Sequence, residues 1–306
     1  MRRTQPLRLV ILLGSLLAAV ALAADPPTAP GLTRAETLQR AEDLLTQSKF
    51  AEAEAEYQKA AALEGGPCGP CMLGVASVRA SEGKWDEAGD MTQRSLPLLT
   101  TPVLLARAYN QIGMASVRGT GGPERLQRAE EALRNAVDYG TQWGEIARVN
   151  LAQVLFLEEQ WSEAVAVARE ALSGTAADKA LGVSSRIVLC QARSHLPDEL
   201  SQGPEAPATG KDLSRPVRIA GPAPQYTEEA RAAKTEGLVM VEGVIDREGC
   251  FRNGKILQGL PNGLSEAALS ATRLWVFSPA TLDGKPTATV YTLSANFKVS
   301  NEPAKP

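Results

Sequence analysis

The clearest pattern of hydrophobic and polar positions lies at the C-terminal end of the chain. From Thr287 onward apolar and polar residues alternate, and a period of two with one apolar face is typical of a half-buried β-strand. The apolar positions are Tyr291, Leu293, Ala295, Phe297 and Val299, and the polar positions are Thr292, Ser294, Asn296 and Lys298. A mostly apolar stretch upstream, 237–246, is rich in β-branched residues and predicts another strand. A turn at 247–249 follows it, and we expect a further strand near 251–259.

Helical periodicity separates these strands. Four apolar residues recur at the spacing of one helix face, namely Leu264, Ala268, Ala271 and Trp275. This pattern predicts a helix that ends at 277–279, where a proline cannot continue it. A short charged stretch, 228–234, precedes the first of these strands. We therefore expect a small α+β domain with a three-stranded antiparallel sheet, in which the last strand pairs with the one at 238–246.

A different pattern recurs in the first part of the chain with a period of about 34 residues. An aromatic-x-x-Ala signature occurs at Phe50 and returns at Trp85 and Trp161, and one further unit with a glycine-rich insertion at 119–122 fits between the last two. Small residues in the signature let paired helices approach closely. Four such units over 34–172 and a closing helix at 178–195 predict a mainly α solenoid. A plain helical bundle is the alternative.

This repeat, with its period near 34 residues and its aromatic-x-x-Ala motif, resembles the tetratricopeptide repeat (TPR). The C-terminal stretch carries its own set of matching residues. In chain order they are Pro224, Tyr226, Glu236, Gly237, Val239, Val241, Asp246, Gly249, Ala267–Leu269, Trp275, Phe277, Pro279, Ala280, Asp283–Pro286 and Phe297. Together they resemble the C-terminal domain of TonB, the energy-coupling protein of Gram-negative envelopes. The resemblance implies a short helix at 228–234, so that the small α+β domain has two helices. One departure is Thr227, since the family usually has proline after the tyrosine.

The N-terminal segment, residues 1–24, resembles a secretory signal. Three arginines precede an apolar core at 9–22, and Ala21-Leu22-Ala23 fits the small-x-small cleavage rule. The core is shorter than the ~20 residues that span a membrane, so we predict cleavage and a periplasmic protein. The alternative is an inner-membrane anchor facing the periplasm, and only then would the chain contact a membrane.

The full organisation predicted from sequence has four segments. A signal peptide occupies 1–24, a repeat solenoid 34–196, a flexible linker 197–215 and the TonB-like domain 216–300. Proline and glycine with few apolar residues mark the linker. The authentic family has a much longer proline-rich spacer, and a solenoid occupies its place here.

Composition excludes several function classes. The chain has 306 residues and a net charge of −3, so no nucleic-acid partner is expected. His195 is the only histidine, which argues against a Ser-His-Asp triad, a Cys-His pair or an ordinary catalytic zinc site. We therefore predict that the protein is not an enzyme and uses neither a metal nor a cofactor.

Four cysteines invite a redox interpretation. Cys68-Gly69-Pro70-Cys71 has the thioredoxin spacing, but it lies between two predicted repeat helices without the preceding strand that redox motifs use. We predict structural thiols or a local disulfide between Cys68 and Cys71. A bridge from Cys190 to Cys250 is left open as a second pairing.

The remaining function is binding of a protein or peptide. The repeat resemblance implies that the first helix of each unit lines a groove, which would hold Arg107, Asn110, Arg118 and Gln153. The two arginines could take a carboxylate or an acidic peptide, although ordinary solvated side chains are the alternative.

The TonB resemblance implies a second binding site, at the last strand. In that family this strand is a sheet edge beside which a partner peptide adds, so Val290, Thr292 and Ser294 would flank the peptide. Tyr226 completes the candidate set. A second copy of the domain, or the tail at 301–306, could instead cover this edge.

These features predict an exported envelope protein that binds partners in the periplasm and engages or energises an outer-membrane transporter. The membrane helix of the resembled family carries a histidine, and residues 9–22 have none. A periplasmic protein-interaction scaffold without energy coupling is therefore the alternative.

Overall fold

The structure is a computed structural model that describes residues 32–63, 65–174, 179–196, 208 and 212–298. The predicted signal segment, most of the predicted linker and the tail at 301–306 lie outside these residues. The chain divides into two compact units. The first comprises residues up to 160 together with 173–181, and the second comprises 161–172 together with 182 onward. The four segment boundaries predicted from sequence remain a proposal.

The described residues from 34 to 193 are mainly α-helical, with a short 3-10 helix at Leu96–Leu98 between the fourth and fifth α-helices. In chain order they are α1 (Arg34–Thr46), α2 (Phe50–Ala62), α3 (Gly69–Ser81), α4 (Trp85–Ser95), α5 (Pro102–Arg118), α6 (Arg125–Asp138), α7 (Gln142–Leu157), α8 (Trp161–Gly174) and α9 (Lys179–Arg193). Consecutive helices from α1 to α7 pack against each other, and α1, α3, α5 and α7 also contact one another in sequence order. That pattern of neighbours is the pattern of stacked helical pairs.

Local sequence explains where these helices begin. The aromatic signature residues are helix starts, because α2 begins at Phe50, α4 at Trp85 and α8 at Trp161. Thr33 caps α1 in a reciprocal capping box with Glu36, which satisfies backbone N–H groups that the first turn leaves without partners.

Small residues permit the close packing of α2 and α3. Tyr57 is fully buried, and a Cβ added at Gly74 would overlap its ring. Ala53 and Ala60, on the same face of α2, are also fully buried. The aromatic ring thus fills space that the glycine leaves open, as close-packed interiors require.

The second unit contains the C-terminal strands and two short helices. They are β1 (Val217–Ala220), α10 (Glu228–Ala233), β2 (Gly237–Ile245), β3 (Phe251–Gln258), α11 (Leu264–Thr272), β4 (Val276–Ser278), β5 (Ala280–Leu282), β6 (Lys285–Thr287) and β7 (Thr289–Phe297). The main sheet is antiparallel with the order β3-β2-β7. The predicted fold class is confirmed, whereas the two-stranded pairs β1–β4 and β5–β6 were not predicted.

The core of this domain lies on one face of the main sheet. Its buried residues are Ala230, Val239, Val241, Ile245, Phe251, Leu264, Ala268, Trp275, Phe277, Leu293, Ala295 and Phe297. The alternation predicted for the last strand is confirmed, since Leu293, Ala295 and Phe297 are buried while the residues between them are exposed.

The predicted end of the second helix is wrong. Helix α11 ends at Thr272, and the chain turns before Val276 so that β4 can pair with β1. Trp275 therefore follows the helix rather than lying on it. It is nonetheless buried, its indole N–H donates to the Pro222 carbonyl at 2.7 Å, and the Arg218 guanidinium lies 4.2 Å from its ring.

Candidate functional site

Strand β7 forms a regular edge of the main sheet. It pairs with β2 over all nine of its residues without a register shift. The opposite edge strand, β3, has two irregularities in its pairing with β2, and such bulges interrupt further strand pairing. No strand pairs with the outer side of β7 among the described residues. The longest uninterrupted free edge in this sheet is therefore β7.

The pairing register decides which β7 groups face outward. The Asp246 N–H donates to the Cys250 carbonyl at 3.1 Å, so the even-numbered positions along β2 face β3. Backbone groups alternate in an antiparallel strand, and the odd positions of β2 therefore face β7. These odd positions pair with odd positions of β7, such as Val241 with Leu293. The even positions of β7 consequently direct their N–H and C=O groups away from β2.

An observed hydrogen bond agrees with this orientation. The carbonyl of Ala288, an even position just before β7, accepts a hydrogen bond at 2.8 Å from the N–H of Ala208, which is not part of the sheet. We define the β7 edge as Val290, Thr292, Ser294 and Asn296. All four side chains are exposed and none is charged, while the next even position, Lys298, lies just beyond the strand. The edge therefore carries little of the charge that usually discourages strand addition.

The predicted edge residues Val290, Thr292 and Ser294 are exposed positions of β7, and their role in binding a partner stays a prediction. Asn296 lies on the same polar face of the period-two pattern and is the fourth edge position.

Tyr226 lies near the end of β7, and its hydroxyl already makes a hydrogen bond within the domain. The hydroxyl donates to the Thr235 carbonyl, and the ring makes an edge-to-face contact with Phe297 at a centroid distance of 6.0 Å. The Arg231 guanidinium lies 5.6 Å from the same ring. Tyr226 therefore supports the sheet beside β7 through its ring.

Arg107, one of the groove residues predicted in the first unit, contacts residues on three other helices, α1, α3 and α7. Arg107 donates to the Glu42 carboxylate at 2.7 Å and to the Ser77 hydroxyl at 3.1 Å, and it lies over the ring of Trp143. Burial alone would lower the pKa of Arg107, but the charge of Glu42 raises it above the ordinary value. The carboxylate expected from a partner is thus supplied by α1.

No hydrogen bond, ion pair or ring contact joins Arg107 to the other three groove candidates, Asn110, Arg118 and Gln153, among the described contacts. Asn110 is buried and accepts a hydrogen bond from Asn150 at 2.8 Å. Gln153 is buried, and Arg118 lies over the Trp85 ring, where burial lowers the pKa of its guanidinium. A partner-binding role for these residues stays a prediction.

Both disulfides that the sequence left open are present. Cys68 and Cys71 are bonded at the start of α3, and the Cys68 sulfur accepts a hydrogen bond from the Cys71 N–H at 3.2 Å. Both residues are buried in the first unit, with Leu38, Tyr57 and Val78 in the same cluster. Burial in this apolar cluster is typical of a structural disulfide rather than a reactive one.

Cys190 on α9 is bonded to Cys250 at the start of β3. Beside this bond, Asp246 and Glu248 form ion pairs with Arg193 and Arg169. Burial alone would raise the pKa of Glu248, but the hydrogen bond from Arg169 and the neighbouring arginine charges lower it below 4.5. Sequence reasoning missed this charge cluster, because its members are far apart along the chain.

Residues 222–299 match the TonB C-terminal family. Its model is described as Gram-negative bacterial TonB protein C-terminal, and the match spans α10, α11 and every strand from β2 to β7. The resemblance seen in the sequence is thereby confirmed for this stretch. The comparison with curated proteins gave no match.

Solved structures similar to this chain match its helical part. The crystal structure of MamA protein has 17% sequence identity and a TM-score of 0.42, covering 55% of this chain and 86% of MamA. YrrB, reported as a TPR protein with an unusual peptide-binding site, has 17% identity and a TM-score of 0.40, covering 55% of this chain and 78% of YrrB. None of the described helices is long and apolar enough to cross a membrane.

Proposed function

We propose that this protein binds a partner protein through the β7 edge, which takes an extended segment of the partner as an additional strand. The observation that carries the proposal is the register of β7. It leaves the N–H and C=O groups of four consecutive even positions pointing outward, beside small uncharged side chains. Main-chain hydrogen bonds supply affinity in this mode of recognition, so little specific side-chain chemistry is needed.

The cellular setting that fits this proposal is the bacterial periplasm. All four cysteines of the chain are paired, and disulfides persist in oxidising compartments. The match to an envelope-associated family supports the same location. An outer-membrane transporter is the partner that the family similarity suggests, and the solenoid would bind further proteins. Neither role requires catalysis by this chain.

Proline substitution tests the edge directly. Proline at Val290, Thr292 or Ser294 removes an outward N–H and adds a ring that blocks an incoming strand, while the ladder to β2 keeps its donors. The matched controls are Val290→Ala, Thr292→Val and Ser294→Ala, which change the side chain but keep the N–H. Circular dichroism establishes that each variant folds, and crosslinked pull-down from envelopes identifies the partner.

We expect the three proline variants to lose the partner that the wild type and the controls recover. If the folded proline variants still recover it, the edge is not the binding site and the helical groove becomes the favoured one. Recovery of an outer-membrane transporter favours the transport role, whereas recovery of periplasmic proteins alone favours the scaffold.

A further inference from the structure

The turn between β2 and β3 has a shape fixed by its own side chains. The Asp246 carboxylate accepts hydrogen bonds from the N–H groups of Glu248 and Cys250, both at 3.0 Å. Gly249 has a φ of 88°, and a Cβ there would overlap the Phe277 carbonyl. The Phe277 N–H also donates to the Gly249 carbonyl at 2.9 Å. The turn is therefore a preformed surface with defined positions for its two carboxylates.

Helices α8 and α9 present arginines to these carboxylates. Arg193 on α9 pairs with Asp246 at 2.9 Å and also with Glu248, while Arg169 on α8 pairs with Glu248 at 2.6 Å. The Arg193 side chain is only 7% exposed. Burying a guanidinium is unfavourable unless carboxylates pair with it. The buried position of Arg193 therefore depends on the carboxylates of Asp246 and Glu248 in the turn.

A covalent bond lies next to these ion pairs. Cys190 is one helical turn before Arg193 on α9, and it is bonded to Cys250 at the end of the turn. The two cysteines are 60 positions apart. The loop that this bond closes contains the predicted linker, β1, α10 and β2.

We infer that the C-terminal domain is joined to the helices α8 and α9 by these contacts rather than by the linker, and that oxidation controls the junction. We call the six residues Arg169, Cys190, Arg193, Asp246, Glu248 and Cys250 the hairpin latch. In this account the folding unit of the sheet begins at α8, well before residue 216. The inference does not depend on peptide binding at the β7 edge.

The composition of the linker suggests that it alone connects the C-terminal domain to the helices, whereas the hairpin latch provides a second, shorter connection. Strand β2 carries the hydrogen-bond ladder to β7 and continues directly into the turn. A pull on β7 therefore passes through β2 and the Cys190–Cys250 bond into α9. While that bond is intact, it is the shorter covalent route between α9 and the turn, because it bypasses the predicted linker.

Reduction by a dithiol opens the latch in two steps. A thiolate of the dithiol attacks one sulfur of the bridge and displaces the other cysteine as a thiolate, which takes up a proton. The second thiol of the reagent then closes its own disulfide and releases the remaining cysteine. Two electrons and two protons pass to the protein, leaving noncovalent contacts between the turn and the helices, among them the ion pairs.

Cutting the linker tests this inference on the full chain. A protease site is inserted after Gly203, outside the described residues, so that it changes none of the contacts above. After cleavage of the oxidised protein, we expect the two fragments to migrate together on a non-reducing denaturing gel. They should separate when dithiothreitol is added. Separation of the fragments without reductant would overturn the inference.

The native state of the cut protein gives the second measurement. Gel filtration at high salt, which weakens the ion pairs, should show co-elution of the oxidised fragments and their separation after reduction. The variant Cys190→Ser/Cys250→Ser should behave like the reduced protein, while Cys68→Ser/Cys71→Ser, the matched control, should behave like the oxidised one. Continued co-elution of the reduced fragments would show that apolar packing is the true junction.

Discussion

Asp246 shows how one side chain serves two purposes at the residue scale. One of its carboxylate oxygens accepts the turn N–H groups of Glu248 and Cys250, and the other pairs with Arg193. An aspartate in a turn commonly bonds to the backbone two residues on, so the first role follows from the local sequence. The second role depends on a residue distant in the chain, and it explains why the turn is docked rather than solvated.

Trp275 is the residue whose loss should damage the second unit most directly. Its side chain is 4% exposed and its indole N–H bonds to Pro222. We expect Trp275→Ala to lower the free energy of unfolding of this unit by about 3–5 kcal/mol, because it removes buried area and leaves a cavity. Urea unfolding measures the change.

The control for that experiment is Leu257→Ala, which truncates a side chain that is 49% exposed. Its effect should stay within about 0.5 kcal/mol. An equal loss in the two variants would contradict the account of Trp275 as a core residue.

Burial of Trp275 was predictable from the sequence, whereas its location was not. Its spacing from Leu264 fits a helix face, and period alone cannot show where a helix stops. The pairing of Val276 with β1 ends α11 early, and this long-range contact leaves no local signal. The predicted helix end at 277–279 is therefore too late, because α11 ends at Thr272.

At the element scale, the two disulfides should differ in their contribution to stability. Loop-closure entropy predicts about 4 kcal/mol for the 60-residue separation of Cys190 and Cys250, but only about 1.5–2 kcal/mol for the separation of three in Cys68–Cys71. Urea unfolding of the two paired serine variants measures both values. A larger loss in the Cys68→Ser/Cys71→Ser variant would contradict this ranking.

The ion pairs of the latch predict a dependence of stability on pH. The pKa of Glu248 in the folded protein is lowered from 4.5. A lowered pKa contributes stability above the pKa of the unfolded chain, and this contribution disappears as pH falls through the folded value. We expect the second unit to lose stability as pH falls below about 4.5.

The matched variant for this pH series is Glu248→Gln, which keeps the shape of the side chain and removes its titration. Chemical unfolding at a series of acidic pH values should give a shallower slope for the variant than for the wild type. Equal slopes would mean that Glu248 does not have a lowered pKa in the folded chain.

Periodicity was enough to predict the long elements but not the short ones. Alternation predicted the strand at 287–299, apolar β-branched composition predicted the strand at 237–246, and the helix signature placed Phe50, Trp85 and Trp161 at helix starts. Strands β4, β5 and β6 have three residues each, too few for a period to show. The outward direction of the β7 groups also required the register with β2, which sequence does not contain.

At the scale of the whole molecule, the proposal requires export. Residues 1–31 lie outside the described part of the chain, so the expectation rests on the sequence features of a cleaved signal. Mass spectrometry of the native protein should find an N-terminus near Ala24 or Asp25. A terminus at Met1 or Arg2 would show that the segment is retained, which favours an anchored protein.

The central claim, that β7 is an open edge which a partner strand completes, has a direct measurement. Residue-resolved hydrogen exchange of the full chain by NMR reports each β7 amide separately. In the free protein, the amides of Val290, Thr292, Ser294 and Asn296 should exchange at least about tenfold faster than those of Tyr291, Leu293 and Ala295. They should become protected when the partner recovered from envelopes is bound. Protection of the first four amides in the free chain, or their continued rapid exchange in the complex, would contradict the account.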